Sequence, residues 1–469
     1  MGREAMLMSS MWERMFERNS FTAKAIGLLP AYFTYKETYN FLKESQWWSR
    51  EQLENYQMHQ LSGLLSHAYE NVPYYRRVFD ERGLKPEDIQ VLSDIRKLPF
   101  LTREIVQQNL KDLNAQNYPE NRFEYITTGG STGIPLGFYY EKRVSRAREW
   151  AFIRTLWDRL GYRFTDRSVI LRGNVIPSAD DGRFWQRSFF GRWLVLSTYH
   201  MTDDNLSGYI QKIREFKPRF IQAYPSTITI LARYMKMHDV EPFPTVKAIL
   251  CGSENLYPWQ RDLLEEVFGC RVYSWYGNSE QVVLAGECEV NQHYHIFPEY
   301  SIVEIIGKDD KPVRGEGEMG EVVATGLNNW LCPLIRYRTM DLAIPANNTC
   351  GCGREYPLLR KVEGRTHEFI ITKSGRPISL TSINMHSNVF DHVNRMQYYQ
   401  EKQGDLYINI VKNQKYSDID TRKIRDALQG KLGRDMDIIF CFVDEIPLTA
   451  RGKNNYVIQK LPISWGEKQ

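Results

Sequence analysis

No stretch of this sequence stays hydrophobic long enough to cross a membrane. The longest early apolar run, "AIGLLPAYF", falls far short of the roughly 20 residues a span needs, and it contains Pro30. The first residues carry Arg3 and Glu4 with no apolar segment after them, so no secretory leader is expected. "MGREAM" lacks the Ser or Thr of a myristoylation signal. Charge of one sign is also scarce: 61 Lys and Arg against 57 Asp and Glu leave +4 over 469 residues. No basic stripe stands out, which argues against nucleic acid as a partner. Seven cysteines, an odd and small number for this length, do not make a disulfide framework. Internal repeats and low-complexity tracts are absent, which excludes solenoids and tail-like segments. What remains is a cytoplasmic globular protein of roughly two to four domains. Its aromatic N-terminus is expected to pack on the main body rather than on a membrane or a partner.

The apolar spacing then sets the organisation. Residues 50–115 read as helices, because "LENYQMHQLSGLLSHAYENV" repeats its apolar positions at three and four. "RAREWAFIRTLWDRLGY" places Trp150, Ile153, Leu156, Trp157 and Leu160 on one helical face. The middle of the chain alternates. "RFIQAY", "VKAILCG" and "CRVYSWYG" read as buried strands, and two helices separate them. The first of these helices has Ser226 as its expected N-cap; the second begins at a proline and stops at Gly269. Strand and helix alternating at these lengths predict a parallel sheet of α/β class. Ligands bind off the carboxyl ends of such strands, here residues 224–226, 252–254 and 276–280. Beyond residue 300 the pattern turns β-rich, in "EYSIVEII", "GEVVATGL" and "LIRYRTMDLAI". A small α+β unit closes the chain, with a hairpin, a helix at about 418–432, the strand "MDIIFCFVDE" and the polar loop "PLTARGKNN". The expected boundary lies near Arg365, giving domains 1–364 and 365–469.

"TTGGSTG", from Thr127 to Gly133, concentrates glycines and hydroxyls just before a strand-like stretch. Glycine reaches backbone conformations that let successive N–H groups converge, and such a nest binds phosphate. It is not a Walker A loop, since no Gly-Lys-Ser/Thr closes it, nor a dinucleotide fingerprint, since a strand follows. On the loop alone, a flexible hairpin turn is an equally good reading. Four further stretches bear on the choice. "SWYGNSEQ" ends a strand with Tyr276, Gly277 and Glu280; "YRTMDLA" offers Asp341; "VEGRTHEF" offers Arg365; "PLTARGKNN" offers Lys453.

In this order the segments resemble the signatures of the adenylate-forming enzymes, in particular the phenylacetate–CoA ligase-like branch that includes capsule-biosynthesis (CapK-like) members. The resemblance spans about residues 60–460. It implies a large N-terminal α/β domain with parallel sheets and a β-rich subdomain, and a small mobile C-terminal α+β domain. It further implies that Thr127, Thr128, Gly129, Gly130, Ser131, Thr132 and Gly133 hold the ATP β- and γ-phosphates. Gly252, Ser253 and Glu254 line the adenine pocket and Tyr276 stacks on the base. Gly277, Asn278 and Ser279 lie at the nucleotide, with Ser279 near the α-phosphate, and Glu280 helps to hold Mg²⁺. Asp341 takes the ribose hydroxyls with help from Arg365. Lys453 reaches the α-phosphate and the substrate carboxylate. The stretch 224–226 and the loop after Gly252 border the acid pocket.

The implied reaction suits these residue types. A carboxylate attacks the α-phosphorus, pyrophosphate leaves, and the protein supplies positioning and charge neutralisation without a covalent nucleophile. The acyl group then passes to coenzyme A, a carrier protein, or a sugar or amine acceptor. Two departures bear on this. His367 stands where relatives that rotate the small domain carry Asp or Lys, which leaves the second half-reaction open, and Met340 replaces a common glycine. Two other readings compete: AMP transfer to a hydroxylated acceptor, and a scaffold whose adenylate site has decayed.

"TCGCGRE" and "GECEVNQHYHIF" bring Cys350, Cys352, Cys288 and His295, a set that fits a closed four-ligand zinc site. Some relatives carry such a site in this region. Free buried thiols are the alternative, and His293 is a rival to His295. Cys251, Cys270, Cys332 and Cys441 sit in apolar runs and read as core.

Overall fold

The computed structural model describes residues 21–128, 136–174, 176, 183–188, 191–313, 317–346, 349–365, 369–375, 377–379, 387–390, 392–432, 434–448 and 455–461. The aromatic N-terminus, Gly129, Gly130, Ser131, Thr132, Gly133, His367 and Lys453 lie outside them, and of Arg365 only the backbone is described. By internal packing the chain divides into two units. One comprises residues 20–161, 275–362 and 465–469; the other comprises 1–19, 162–274 and 363–464.

In the first unit, helix Arg50–Asn71 starts where Ser49 accepts the Gln52 N–H and the Gln52 side chain returns the bond, a reciprocal cap. Helix Pro73–Glu81 follows at once, its proline in the first turn where no N–H is needed. Helix Ser145–Asp158 buries Ala147, Ala151, Phe152, Ile153, Leu156 and Trp157. That stripe is wider than predicted: Trp150 is half-buried and Leu160 lies past the helix end, because packing also covers the flank carrying Ala151 and Phe152. Helix Phe21–Ser45 packs along it. The β-rich expectation is met by strands Ser301–Ile306, Gly320–Gly326 and Tyr337–Ala346, paired antiparallel in that order. Strands Phe123–Thr127 and Gly137–Glu141 form a separate antiparallel hairpin. One core of aliphatic and aromatic side chains, including Leu61, Leu64, Phe79, Phe138 and Val322, joins these elements.

In the second unit, strands Ser168–Leu171, Trp193–Leu196, Phe220–Ala223 and Ala248–Gly252 pair in parallel, as predicted for the last two. Every residue of Phe220–Ala223 and of Ala248–Gly252 is buried, the continuous apolar pattern of a sheet covered on both faces. Helices Asp203–Phe216, Pro225–Met237 and Pro258–Phe268 accompany them. Gly269, at φ +60°, closes the last helix in the left-handed conformation that favours glycine. Ser226 is not the N-cap predicted for Pro225–Met237. Tyr224 holds that position without a side-chain bond, because proline at the first helical turn moves the start two residues earlier. The terminal part has a four-stranded sheet built on hairpin Val393–Gln400/Asp405–Lys412, with strand Asp437–Phe442 beside it and helix Asp418–Leu432. Arg233 donates to the carbonyl of Val393 at 2.6 Å and Gln260 donates to the Tyr456 hydroxyl at 3.1 Å, so this part shares the unit's core. Among the described residues, no helix is long and apolar enough to cross a membrane.

Candidate functional site

The phosphate-loop candidate is anchored at its described ends. The Thr128 N–H donates to the Leu136 carbonyl at 2.9 Å, and the Thr128 hydroxyl accepts the Leu136 N–H, also at 2.9 Å. The hairpin below continues the register from Thr127↔Gly137 to Phe123↔Glu141. The intervening loop is therefore closed by a rigid clip. On the second strand, the Tyr140 hydroxyl donates to the carbonyl of Ser279, which ties the hairpin to the turn at 277–281.

That turn is built by its own sequence. A β-carbon at Gly277 would come within 2.9 Å of Leu284 and 3.3 Å of the Val283 carbonyl, so the close approach requires glycine. The Asn278 carboxamide accepts the Val282 N–H at 3.1 Å and its carbonyl accepts the Gln281 N–H at 3.2 Å. Glu280 is buried, and its carboxylate accepts the Tyr337 hydroxyl at 3.2 Å. Gln281 adopts φ +55° and donates its side-chain amide to Glu149 on helix Ser145–Asp158. Burial pushes the Glu149 carboxyl up to about 6, against the lowering effect of Gln281 and Arg146.

Tyr276 donates its hydroxyl to Asp341 at 2.8 Å, which fixes the ring and orients the buried carboxylate. The Asp341 N–H is held by Thr339 at 3.1 Å. Met340, at φ +63°, occupies left-handed backbone, which explains why glycine suits this position, and its N–H is taken by Glu321 at 3.0 Å. Within this unit, Thr127, Thr128, Tyr276, Gly277, Asn278, Ser279, Glu280 and Asp341 are thus tied by Tyr140, Tyr337 and Glu149, three residues the sequence reading did not select.

In the other unit, Gly252, Ser253 and Glu254 follow strand Ala248–Gly252 at the carboxyl edge of the parallel sheet. Ser253 sits at φ +68° and accepts from the Arg172 guanidinium at 2.7 Å. Arg172 lies 5.5 Å from the centroid of the Tyr224 ring, and burial holds its guanidinium below the usual arginine value. Glu254 accepts the Ser226 N–H at 2.9 Å and the Ser226 hydroxyl at 3.0 Å. It does for helix Pro225–Met237 what an N-cap side chain would have done. Two of the three predicted strand ends, 224–226 and 252–254, therefore meet.

The four cysteine and histidine candidates converge. The ligand atoms of Cys288, His295, Cys350 and Cys352 all lie within 4.8 Å of one another. Cys288 and Cys350 sulfurs are 3.6 Å apart, and Cys352 Sγ is 3.3 Å from His295 Nε2. Tetrahedral zinc, with Zn–S of about 2.3 Å and Zn–N of about 2.0 Å, requires edges of about 3.8 and 3.5 Å. The donor set and spacing fit. The surroundings suit thiolates too: Val290 and Asn291 N–H groups point at Cys288 Sγ at 3.3 and 3.4 Å, and the Asn291 amide donates to Cys350 at 3.0 Å. His293 contributes its carbonyl, 3.1 Å from His295 Nδ1, which leaves Nε2 facing the sulfurs. Burial and the charge of Arg159 depress the His295 imidazole to about 4, so it is neutral. All seven cysteines are free of disulfides. Cys251 and Cys332 are buried as predicted, whereas Cys270 and Cys441 are only partly covered, since Cys270 follows a helix cap and Cys441 lies on the edge strand Asp437–Phe442.

Residues 370–460 match the model of the CapK C-terminal domain. Protein CapK of Staphylococcus aureus is 24% identical over 403 residues, covering 83% of this chain and 86% of its own. A phenylacetate–coenzyme A ligase of Aromatoleum evansii is 29% identical over 338 residues, covering 69% and 73%. Among solved structures, a 2-hydroxyisobutyryl-CoA ligase in the postadenylation state, in complex with R3-HIB-AMP, superposes with a TM-score of 0.70 at 18% identity, covering 89% of this chain and 93% of that one. The fold is that of the adenylate-forming CoA ligases, and the sequence is similar to those of CapK and the phenylacetate–CoA ligases.

Proposed function

We propose that this protein is an acid-activating ligase, which condenses a carboxylic acid with ATP to an acyl-adenylate, releases pyrophosphate, and passes the acyl group to coenzyme A or another acceptor. The observation that carries the reading is the Tyr276–Asp341 pair beside the turn that holds Glu280. A buried carboxylate anchored by a tyrosine hydroxyl offers two acceptor oxygens to a ribose diol, and a second buried carboxylate, Glu280 on the turn that follows Tyr276, suits a magnesium ion on the phosphates. In this reading Asp341, with Arg365, binds ribose, Gly252, Ser253, Glu254 and Tyr276 border adenine, and Glu280 holds Mg²⁺. The clipped loop from Thr127 to Gly133 cradles the β- and γ-phosphates, with Gly277, Asn278 and Ser279 at the α-phosphate. Lys453, on a C-terminal domain beginning near Arg365, neutralises charge at the α-phosphorus as the carboxylate attacks. Attack forms the carboxylate–phosphorus bond and breaks the bond to pyrophosphate; in the second step the acceptor displaces AMP.

In this reading the acceptor belongs to polysaccharide or envelope synthesis and the protein works in the cytoplasm. Zn²⁺ held by Cys288, His295, Cys350 and Cys352 has no open coordination position in this reading, and it braces the wall behind strand Leu284–Gly286. The test of the activity is acid-dependent pyrophosphate release with Mg²⁺·ATP and hydroxylamine as acyl trap. An AMP-sized adduct on the final product would replace this reading with AMP transfer, and failure of the protein to bind ATP would replace it with the scaffold.

A further inference from the structure

We propose that Glu149 is a positioning residue for the magnesium-binding turn, acting on Glu280 through Gln281 without touching the nucleotide. This inference rests on the function proposed above. Glu149 is half-buried on helix Ser145–Asp158, and a carboxylate drawn out of water is unfavourable unless a donor answers it. The donor is Gln281, itself 1% exposed. Gln281 adopts φ +55°, a left-handed conformation that is strained for a residue with a β-carbon. Strain of this kind persists only where the surroundings enforce it. Two hydrogen bonds restrain Gln281: its N–H to the Asn278 carbonyl and its side-chain amide to Glu149. The first is local to the turn. The second reaches a helix that is fixed by Phe152, Ile153 and Leu156 in its core.

Without Glu149 the peptide between Glu280 and Gln281 is free to rotate toward ordinary φ. That rotation re-aims the Glu280 carboxylate, which accepts the Tyr337 hydroxyl at 3.2 Å. The effect falls on the metal–phosphate side of the reaction. The acid-binding side, bordered by residues 224–226, is untouched.

The experiment measures pyrophosphate release as a function of Mg²⁺ and of acid for wild type, Glu149→Gln and Glu149→Ala, with thermal melting of each. A displacement of about 1 Å at a reacting group costs up to about a hundredfold, so Glu149→Ala is expected to raise the half-saturating Mg²⁺ or lower kcat by about tenfold or more. Its KM for the acid stays at the wild-type value. Glu149→Gln, which keeps an acceptor oxygen for Gln281, restores the wild-type Mg²⁺ dependence. A purely structural role would lower melting in Glu149→Ala without this split and without rescue. Wild-type Mg²⁺ dependence in Glu149→Ala, or equal damage in Glu149→Gln, overturns the inference. If Glu149→Ala does not fold, Gln281→Ala removes the same bond from the turn side and must give the same shift. A wild type that releases no pyrophosphate with any acid removes the functional reading, and the inference falls with it.

Discussion

Replacing Glu149 by glutamine should stabilise the protein at alkaline pH and leave it unchanged in acid. Burial is the leading influence on this carboxyl; Gln281 and Arg146 oppose it and lose, so the folded value is about 6 against an ordinary 4.5. A carboxyl raised in the folded state binds its proton more tightly there than when unfolded. Its contribution to stability is therefore complete below about pH 4.5 and is lost as pH rises through about 6. The difference between the two values corresponds to about 2 kcal/mol, which partial exposure of the side chain reduces to about 1–2 kcal/mol. Glutamine at 149 does not titrate and keeps the bond to Gln281. Urea unfolding of both proteins at pH 4.5 and pH 8 reads the effect directly. The variant should match wild type at the lower pH and exceed it by about 1–2 kcal/mol at the higher. An equal difference at both pH values, or a less stable variant at pH 8, would refute the argument.

Lys453→Ala should reduce adenylate formation by about 10²–10³ or more while the melting temperature holds; full activity would remove Lys453 from the reaction. Protein purified without added zinc should contain about one zinc per chain, and a content near zero would end the metal reading. Cys350→Ser should lose that zinc and melt lower, as checked by metal analysis and calorimetry. Met340→Gly exchanges left-handed strain of about 1–2 kcal/mol for a glycine entropy cost of about 0.5–1 kcal/mol, so it should be neutral or slightly stabilising in thermal melts. A loss of stability would show that the Met340 side chain packs to more purpose than its backbone suggests.

Most of the architecture was legible because it follows from periodicity. The buried strands Phe220–Ala223 and Ala248–Gly252, the antiparallel strands after residue 300, and helix Asp418–Leu432 all lie where apolar spacing put them. The start of helix Pro225–Met237 was misjudged because its cap is not local: Glu254 supplies it from another strand end. The same limit hid the residues that hold the site. Tyr140, Tyr337 and Glu149 reach the 277–281 turn across 57 to 139 positions of sequence, and no local pattern announces such a bond. The metal cluster was readable as residue types, whereas its geometry and the choice of His295 over His293 depend on the pairing of strand Tyr294–Ile296 with Leu358–Arg365. Left-handed backbone at Gln281, Ser253 and Met340 was invisible for a simpler reason, since none of the three is glycine.

The most direct test of the central claim is pyrophosphate release from Mg²⁺·ATP across a broad panel of carboxylic acids, with hydroxylamine trapping the activated acyl group. The account predicts release that depends on one class of acid, with the matching hydroxamate formed in step. ATP binding without release for any acid, with or without coenzyme A, would contradict it.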